Sequence, residues 1–198
     1  MDGKMQTFTG KVFDFENVKG STVCIEDIAH ALSLTCRFNG HVPKFYSVAE
    51  HSCLAHDLIV NEEDRKYNLY LLLHDASEAY LNDIVSPIKH SLPDYLAIET
   101  CIQEYIFTEL IGGNPYFSVS LEKFIKIHDN LVLQAERKKF FPINPFPWKF
   151  KDIYKENYIL KISNEIKCWS PEQAEKEFLC RYEKDISCLL CEEKRLVS

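Results

Sequence analysis

Hydrophobic positions along most of the chain recur three and four apart, the spacing of one helix face. Ile25, Ile28, Ala29, Leu32 and Cys36 form the first such stripe, with Glu26 and Asp27 placed where acids favour a helix start. Asn39-Gly40 stops it. Ser47 begins a second helix with Val48, Ser52, Ala55 and Leu58-Ile59 on one side, and Glu50, three residues after Ser47, completes a capping box. A third helix is predicted over residues 63–80. Pro87 breaks 81–92, Pro93-Asp94 opens a helix reaching Ile111, and Gly112-Gly113-Asn114-Pro115 is a loop. Another helix spans 119–139, and the prolines at 142, 145 and 147 block regular structure after it. Two helices follow, over 151–166 and 171–190, the latter with Ser170 as N-cap and Pro171 in its first position. Residues 1–24 differ: Phe8, Val12, Phe13, Phe15 and Val18 alternate loosely between glycines, as in an extended or hairpin-like arm. The pattern is all-α apart from that arm, and no repeat or composition shift divides it.

Length and charge narrow the function. The 198 residues suit one domain, and 46% hydrophobic with 27% charged residues is ordinary globular composition. A net charge of −7 argues against a broad nucleic-acid-binding face, which needs clustered Lys and Arg. No apolar stretch approaches the roughly 18 residues that cross a bilayer, and the start lacks the pattern of a secretory signal. The eight cysteines are scattered, so reduced thiols in a cytoplasmic protein are expected. Cys188 and Cys191 form a CxxC that fits the apolar side of a terminal helix better than a redox or zinc site.

The chemistry concentrates at His74-Asp75, which ends the apolar run Leu69-Tyr70-Leu71-Leu72-Leu73. Burying an imidazole and a carboxylate there is costly unless something pairs with both, and a cation suits both at once. In a continuous helix Glu78 would lie on the same side as His74 and Asp75. His51 precedes the pair on another predicted helix, Asp83 follows it, and Asp129 lies on a third helix. Two imidazoles and two carboxylates from three helices make a mixed nitrogen and oxygen site for a divalent ion, with positions open for water and substrate. Each residue has a plainer reading alone: a hydrogen-bonded core pair at His74-Asp75, an ordinary helix histidine at His51, a solvated Glu78 or Asp83, a salt bridge from Asp129 to Arg137 or a lysine. Only the combination favours a metal centre. His30 reads as a structural histidine, His128 as structural or exposed, and His41 stands close enough to Arg37 to touch a substrate.

The set His51, His74-Asp75, Asp129 resembles the signature of the HD-domain metal-dependent phosphohydrolases. His74-Asp75-Ala76-Ser77-Glu78, then Asp83 and Ser86-Pro87-Ile88-Lys89, is similar to the core motif of bacterial 5′-deoxynucleotidases. The block from Asp27 through Arg37-Phe38-Asn39-Gly40-His41 to Glu50-His51 resembles phage deoxyadenosine-triphosphate hydrolases. The resemblance implies a single HD-type helical bundle: an arm at 1–24, a catalytic core at 25–137, and a Pro-rich loop with C-terminal helices at 138–198. It implies His51, His74, Asp75 and Asp129 as metal ligands, Glu78 as the residue that positions the attacking water and shuttles its proton, and Asp83 as a catalytic residue assisting in the phosphate pocket. Arg37 would bind phosphate, Phe38 would pack against sugar and base where the family often has Trp, and Lys89, with any lysine from 138–151, would reach further phosphates. The implied activity is hydrolysis of deoxynucleoside mono- or triphosphates, purines such as dAMP or dATP favoured, by an oligomer using Mn, Co, Fe, Ni or Zn, with Mg accompanying the phosphates. The alternatives are a non-catalytic nucleotide-sensing module that keeps its metal for folding, and an HD phosphodiesterase acting on another phosphate ester.

Overall fold

A computed structural model describes residues 3–59, 67–112, 119–143, 145, 148 and 154–196, the last seven by main chain alone. The N-terminal arm is a hairpin of β1 (Lys4–Gln6) and β2 (Val12–Asp14), antiparallel, with Met5 opposite Phe13. Gly10 turns it with φ +83°, a conformation that glycine adopts without steric cost. Phe13 is fully buried and stacks on Tyr80 with ring centroids 4.0 Å apart. Thr9 tethers the turn by donating its backbone N–H and its hydroxyl to Asp27 at 2.7 and 2.9 Å.

The rest of the described chain is helical: α1 (Ile25–Leu34), α2 (Val48–Asp57), α3 (Asn68–Leu72), α4 (Glu78–Leu81), α5 (Ser86–Lys89), α6 (Pro93–Ile111), α7 (Val119–Phe140), α8 (Glu156–Glu165) and α9 (Pro171–Leu196). Helix α2 is the axis of the fold, buried on every side from Val48 to His56. Its Ala49, Ser52, Cys53 and Ala55 are small, so α1, α3, α7 and α9 can all approach it. Two apolar clusters flank it. One joins Phe13, Ile28, Leu32, Leu72, Ile102, Ile106 and Phe178; the other joins Tyr46, Leu54, Leu71, Val132 and Phe140. Burying each large side chain of this kind contributes about 1.5–3 kcal/mol. Among the described residues no helix is long and apolar enough to cross a membrane.

Three local expectations need correction. Helix α1 ends at Leu34, not at Asn39-Gly40: the chain turns extended, Cys36 bridges to Ser47, and the Arg37 N–H donates to the Tyr46 carbonyl at 2.9 Å. The continuous helix expected over 63–80 is broken within its described part, because α3 stops at Leu72 and α4 starts at Glu78. Between them tight bonds close the turns, from the Ala76 N–H to Leu73 and from the Glu78 N–H to Asp75, both at 3.0 Å. The capping box is half formed. Ser47 accepts from the Glu50 N–H at 3.1 Å, but the Glu50 carboxylate turns away and takes the backbone N–H groups of Lys167, Cys168 and Trp169 at 2.7, 2.9 and 2.7 Å. Helices α6 and α7 follow the expected bounds closely, while α8 starts later than expected and α9 runs longer.

Candidate metal centre

The broken helix places the central pair. In a regular α-helix adjacent side chains point about 100° apart. The tighter turn after Leu72 instead brings His74 Nε2 within 3.2 Å of Asp75 Oδ2. Helix α2 supplies His51, whose Nε2 lies 3.2 Å from His74 Nε2, and α7 supplies Asp129, whose Oδ1 lies 3.2 Å from His51 Nε2 and 3.8 Å from His74 Nε2. His51, His74 and Asp129 thus offer three donor atoms mutually within 4.8 Å, a group that could hold a metal ion. Asp75 Oδ2 approaches both imidazoles, standing 3.7 Å from His51 Nε2. Donors about 2.0–2.2 Å from one ion are separated by about 3–3.5 Å at right-angle to tetrahedral angles, which is close to this spacing.

Hydrogen bonding behind the imidazoles agrees with such an ion. His74 Nδ1–H donates to the Leu71 carbonyl at 2.7 Å, and His51 Nδ1–H donates to Glu136 Oε1 at 2.6 Å. With each Nδ1 proton committed, the two Nε2 lone pairs face each other, so a proton or a cation must lie between them. Absent a cation, the neighbouring carboxylates favour protons on the imidazoles. Burial disfavours charge on His74, but Asp75 and Asp129 outweigh it and hold its pKa well above the usual value. Burial likewise works against ionisation of Asp129, yet both histidines pull its pKa well down. A divalent ion would displace those protons. Asp75 and Asp129 side chains are 22% and 35% exposed while His51 is sealed, so the centre opens to solvent on its carboxylate side. The donor set suits Mn, Fe, Co, Ni or Zn.

Arg37 is nearly buried beside this group, its Nη1 3.3 Å from Asp75 Oδ2. It opens a short 3-10 segment (Arg37–Gly40) in which Phe38 and Asn39 have φ 57° and 50°. A left-handed phenylalanine costs about 1–2 kcal/mol, a strain found where geometry at a site is fixed by its surroundings. The Phe38 ring meets Phe141 edge-on at 5.1 Å and Trp148 at 6.4 Å, with the Arg37 guanidinium 5.5 Å from its centre. Glu78 is 4% exposed, and its Oε2 has no hydrogen-bond partner. Burial, then the charges of Asp75 and Asp83, push its pKa well above the carboxylate range, against Arg37 and Lys89. Asp83, following the strained Asn82 (φ 68°), is pushed up by burial and by Asp75, with Arg37 opposing. Lys89 spends its ammonium inside the protein, on Glu99 Oε1 at 2.7 Å and Glu78 Oε1 at 3.5 Å.

The remaining histidines stand apart from the ligand group. His30 pairs with Glu175 at 3.1 Å under the Phe8 ring, His128 bonds the Phe124 carbonyl at 2.8 Å, and His41 is exposed. Asp129 meets the histidines instead of the salt bridge to Arg137 that its sequence context allowed. Sequence reasoning missed two acids. Glu136 is completely buried against His51 and Arg37, and its spacing of seven residues from Asp129 on one helix was the available signal. Glu50, next to His51, carried only its capping signal. Of the 138–151 stretch considered as a source of phosphate-binding lysines, Lys149 and Lys151 lie outside the described residues.

No protein-family model matches the chain. An uncharacterized protein of Escherichia coli K12, YfdR, is 38% identical over 134 residues, a match spanning 68% of this chain and 70% of YfdR. An uncharacterized protein of Rhodobacter capsulatus is 36% identical over 89 residues, 42% of this chain and 45% of that protein.

Proposed function

The chain belongs to the family of YfdR, and we propose that it is a metal-dependent phosphohydrolase of the HD-domain type acting on deoxynucleotides. The observation that carries this reading is the meeting of His51 from α2, His74 from the turns between α3 and α4, and Asp129 from α7, with Asp75 against both imidazoles. These four residues would hold the ion. When bound, a divalent ion supplies hydroxide near neutral pH and offsets charge on a phosphoryl group.

The chain's own residues supply the rest. Glu78 sits in a buried, acid-rich position that raises its affinity for a proton, so its carboxylate can take one from the attacking water and pass it to the leaving oxygen. Asp83 shares that field and helps set it. Arg37 holds Asp75 with one edge of its guanidinium and stands over the Phe38 ring. Phe38, with Phe141 and Trp148 behind it, offers an aromatic wall for a nucleobase next to the phosphate end of the site. Because Lys89 is already paired with Glu99 and Glu78, a monophosphate demands less rearrangement than a triphosphate.

The test is incubation of protein loaded with Mn²⁺ or Co²⁺ with deoxynucleoside mono- and triphosphates, measuring phosphate, triphosphate and nucleoside. Release of nucleoside with phosphate identifies a monophosphatase, and release with triphosphate identifies a triphosphohydrolase. Absence of turnover on every nucleotide refutes the proposal.

A further inference from the structure

We propose that Glu136 is a positioning residue for the metal centre, acting on two of the ligands through one buried bridge. The inference rests on the reading of His51, His74, Asp75 and Asp129 as a metal site. Glu136 Oε1 accepts from His51 Nδ1 at 2.6 Å and lies 3.2 Å from Arg37 Nε, while Oε2 accepts from Arg37 Nη2 at 3.4 Å. The other edge of Arg37 donates through Nη1 to Asp75 Oδ2 at 3.3 Å. Asp75, Arg37, Glu136 and His51 therefore form a continuous bridge behind the ion position, tying a ligand carboxylate to a ligand imidazole. Helix α7 makes this economical: Asp129 and Glu136 are two turns apart on one face, so one helix presents a ligand and the group that orients another.

Stability alone is a poor reason for this arrangement. A buried Arg–Glu pair gains little over well-packed apolar residues of equal volume, because two charges lose their water. A carboxylate on Nδ1 does something that an apolar pair cannot. It fixes the tautomer with the Nε2 lone pair toward the ion, locks the ring, and makes the imidazole a stronger donor. His74 has a neutral carbonyl in that place. The two histidines are thus unequal, and His51 is the ligand whose donor strength the protein has raised.

The experiment compares wild type with Glu136→Gln, which keeps size and one acceptor oxygen but removes the charge. Dissociation constants for Mn²⁺, Co²⁺ and Zn²⁺ are measured by competition with a chelating dye, alongside the visible spectrum of the Co²⁺ form and urea unfolding of the metal-free proteins. The expected result is metal affinity weaker by about 10- to 100-fold with an altered Co²⁺ spectrum. Unchanged affinity and spectrum in a folded variant overturn the role of Glu136 and leave the metal site intact. Wild type that binds none of the three ions overturns the metal reading and this inference with it. Should the variant not fold, histidine ¹⁵N NMR of the Zn²⁺ wild type decides: His51 bound through Nε2 with a protonated Nδ1 is expected, and binding through Nδ1 refutes it.

Discussion

Glu50 should be among the most costly side chains to remove, although it lies outside the proposed ligand set. It is 1% exposed and accepts three backbone N–H groups from the segment that leads into α9: two on Oε1, from Lys167 and Cys168, and one on Oε2, from Trp169. Cys168 has φ 56°, so the segment is held in a left-handed turn that curls its amides around the carboxylate. Hydrogen bonds to a charged group contribute about 1.5–3 kcal/mol each, and the cost of burying the carboxylate offsets part of that sum. Because water can reach some of the freed amides, Glu50→Ala should cost about 3–5 kcal/mol. Glu50→Gln keeps an acceptor for two amides but turns an NH₂ toward the Trp169 N–H, so about half that loss is expected. Against a total of about 5–15 kcal/mol for a domain, the alanine variant should be marginal at 37 °C. Urea unfolding monitored by circular dichroism reads this as a lower midpoint at unchanged slope. A Glu50→Gln midpoint matching wild type, equivalent to less than about 0.5 kcal/mol, would show that the three bonds do not hold the segment.

Other expectations follow from the same geometry. Glu78→Ala should leave metal content unchanged while lowering turnover of the best nucleotide by at least about 10²-fold, and equal turnover would remove Glu78 from the chemistry. Metal affinity should strengthen as pH rises: the pKa of His74 is raised by Asp75 and Asp129, so protons compete with the ion to higher pH than for a free imidazole, and a pH-independent Kd between pH 5.5 and 8 would contradict this. The clasp joining α2 to α9 should be pH-dependent as well. Burial opposes charge on His56, but hydrogen bonds to Asp185 and Asp57, each 2.8 Å, raise its pKa. Its contribution is complete below about pH 6.5 and lost as pH rises through the raised value. Asp57, which burial alone would raise, is lowered to about 2 by His56 and Arg181, so its share persists above about pH 4 and is lost toward about 2. His56→Gln should flatten the decline in unfolding midpoint above neutrality, and an unaltered profile would assign that decline elsewhere.

Read alone, the sequence determined the helical character of the chain, the α2, α6 and α7 starts, and the residue types of the site. These follow from signals within a few positions of one another: apolar residues at helical spacing, Ser47 ahead of Val48, proline at the start of α6, and His74-Asp75 against a run of leucines. Tertiary structure decided what each of those residues does. His74 and Asp75 converge because the expected helix breaks into tight turns, a choice set by packing of α3 and α4 against α2 and α1, not by local propensity. Glu50 carries a capping signal, yet its carboxylate serves a segment more than a hundred residues away, whose three N–H groups outbid the local one. Glu136 is marked in sequence only by its seven-residue spacing from Asp129, since its partners His51 and Arg37 come from other elements. Local periodicity encodes which face of a helix is apolar; which polar atoms meet across helices depends on how those faces stack, and only the folded chain specifies that.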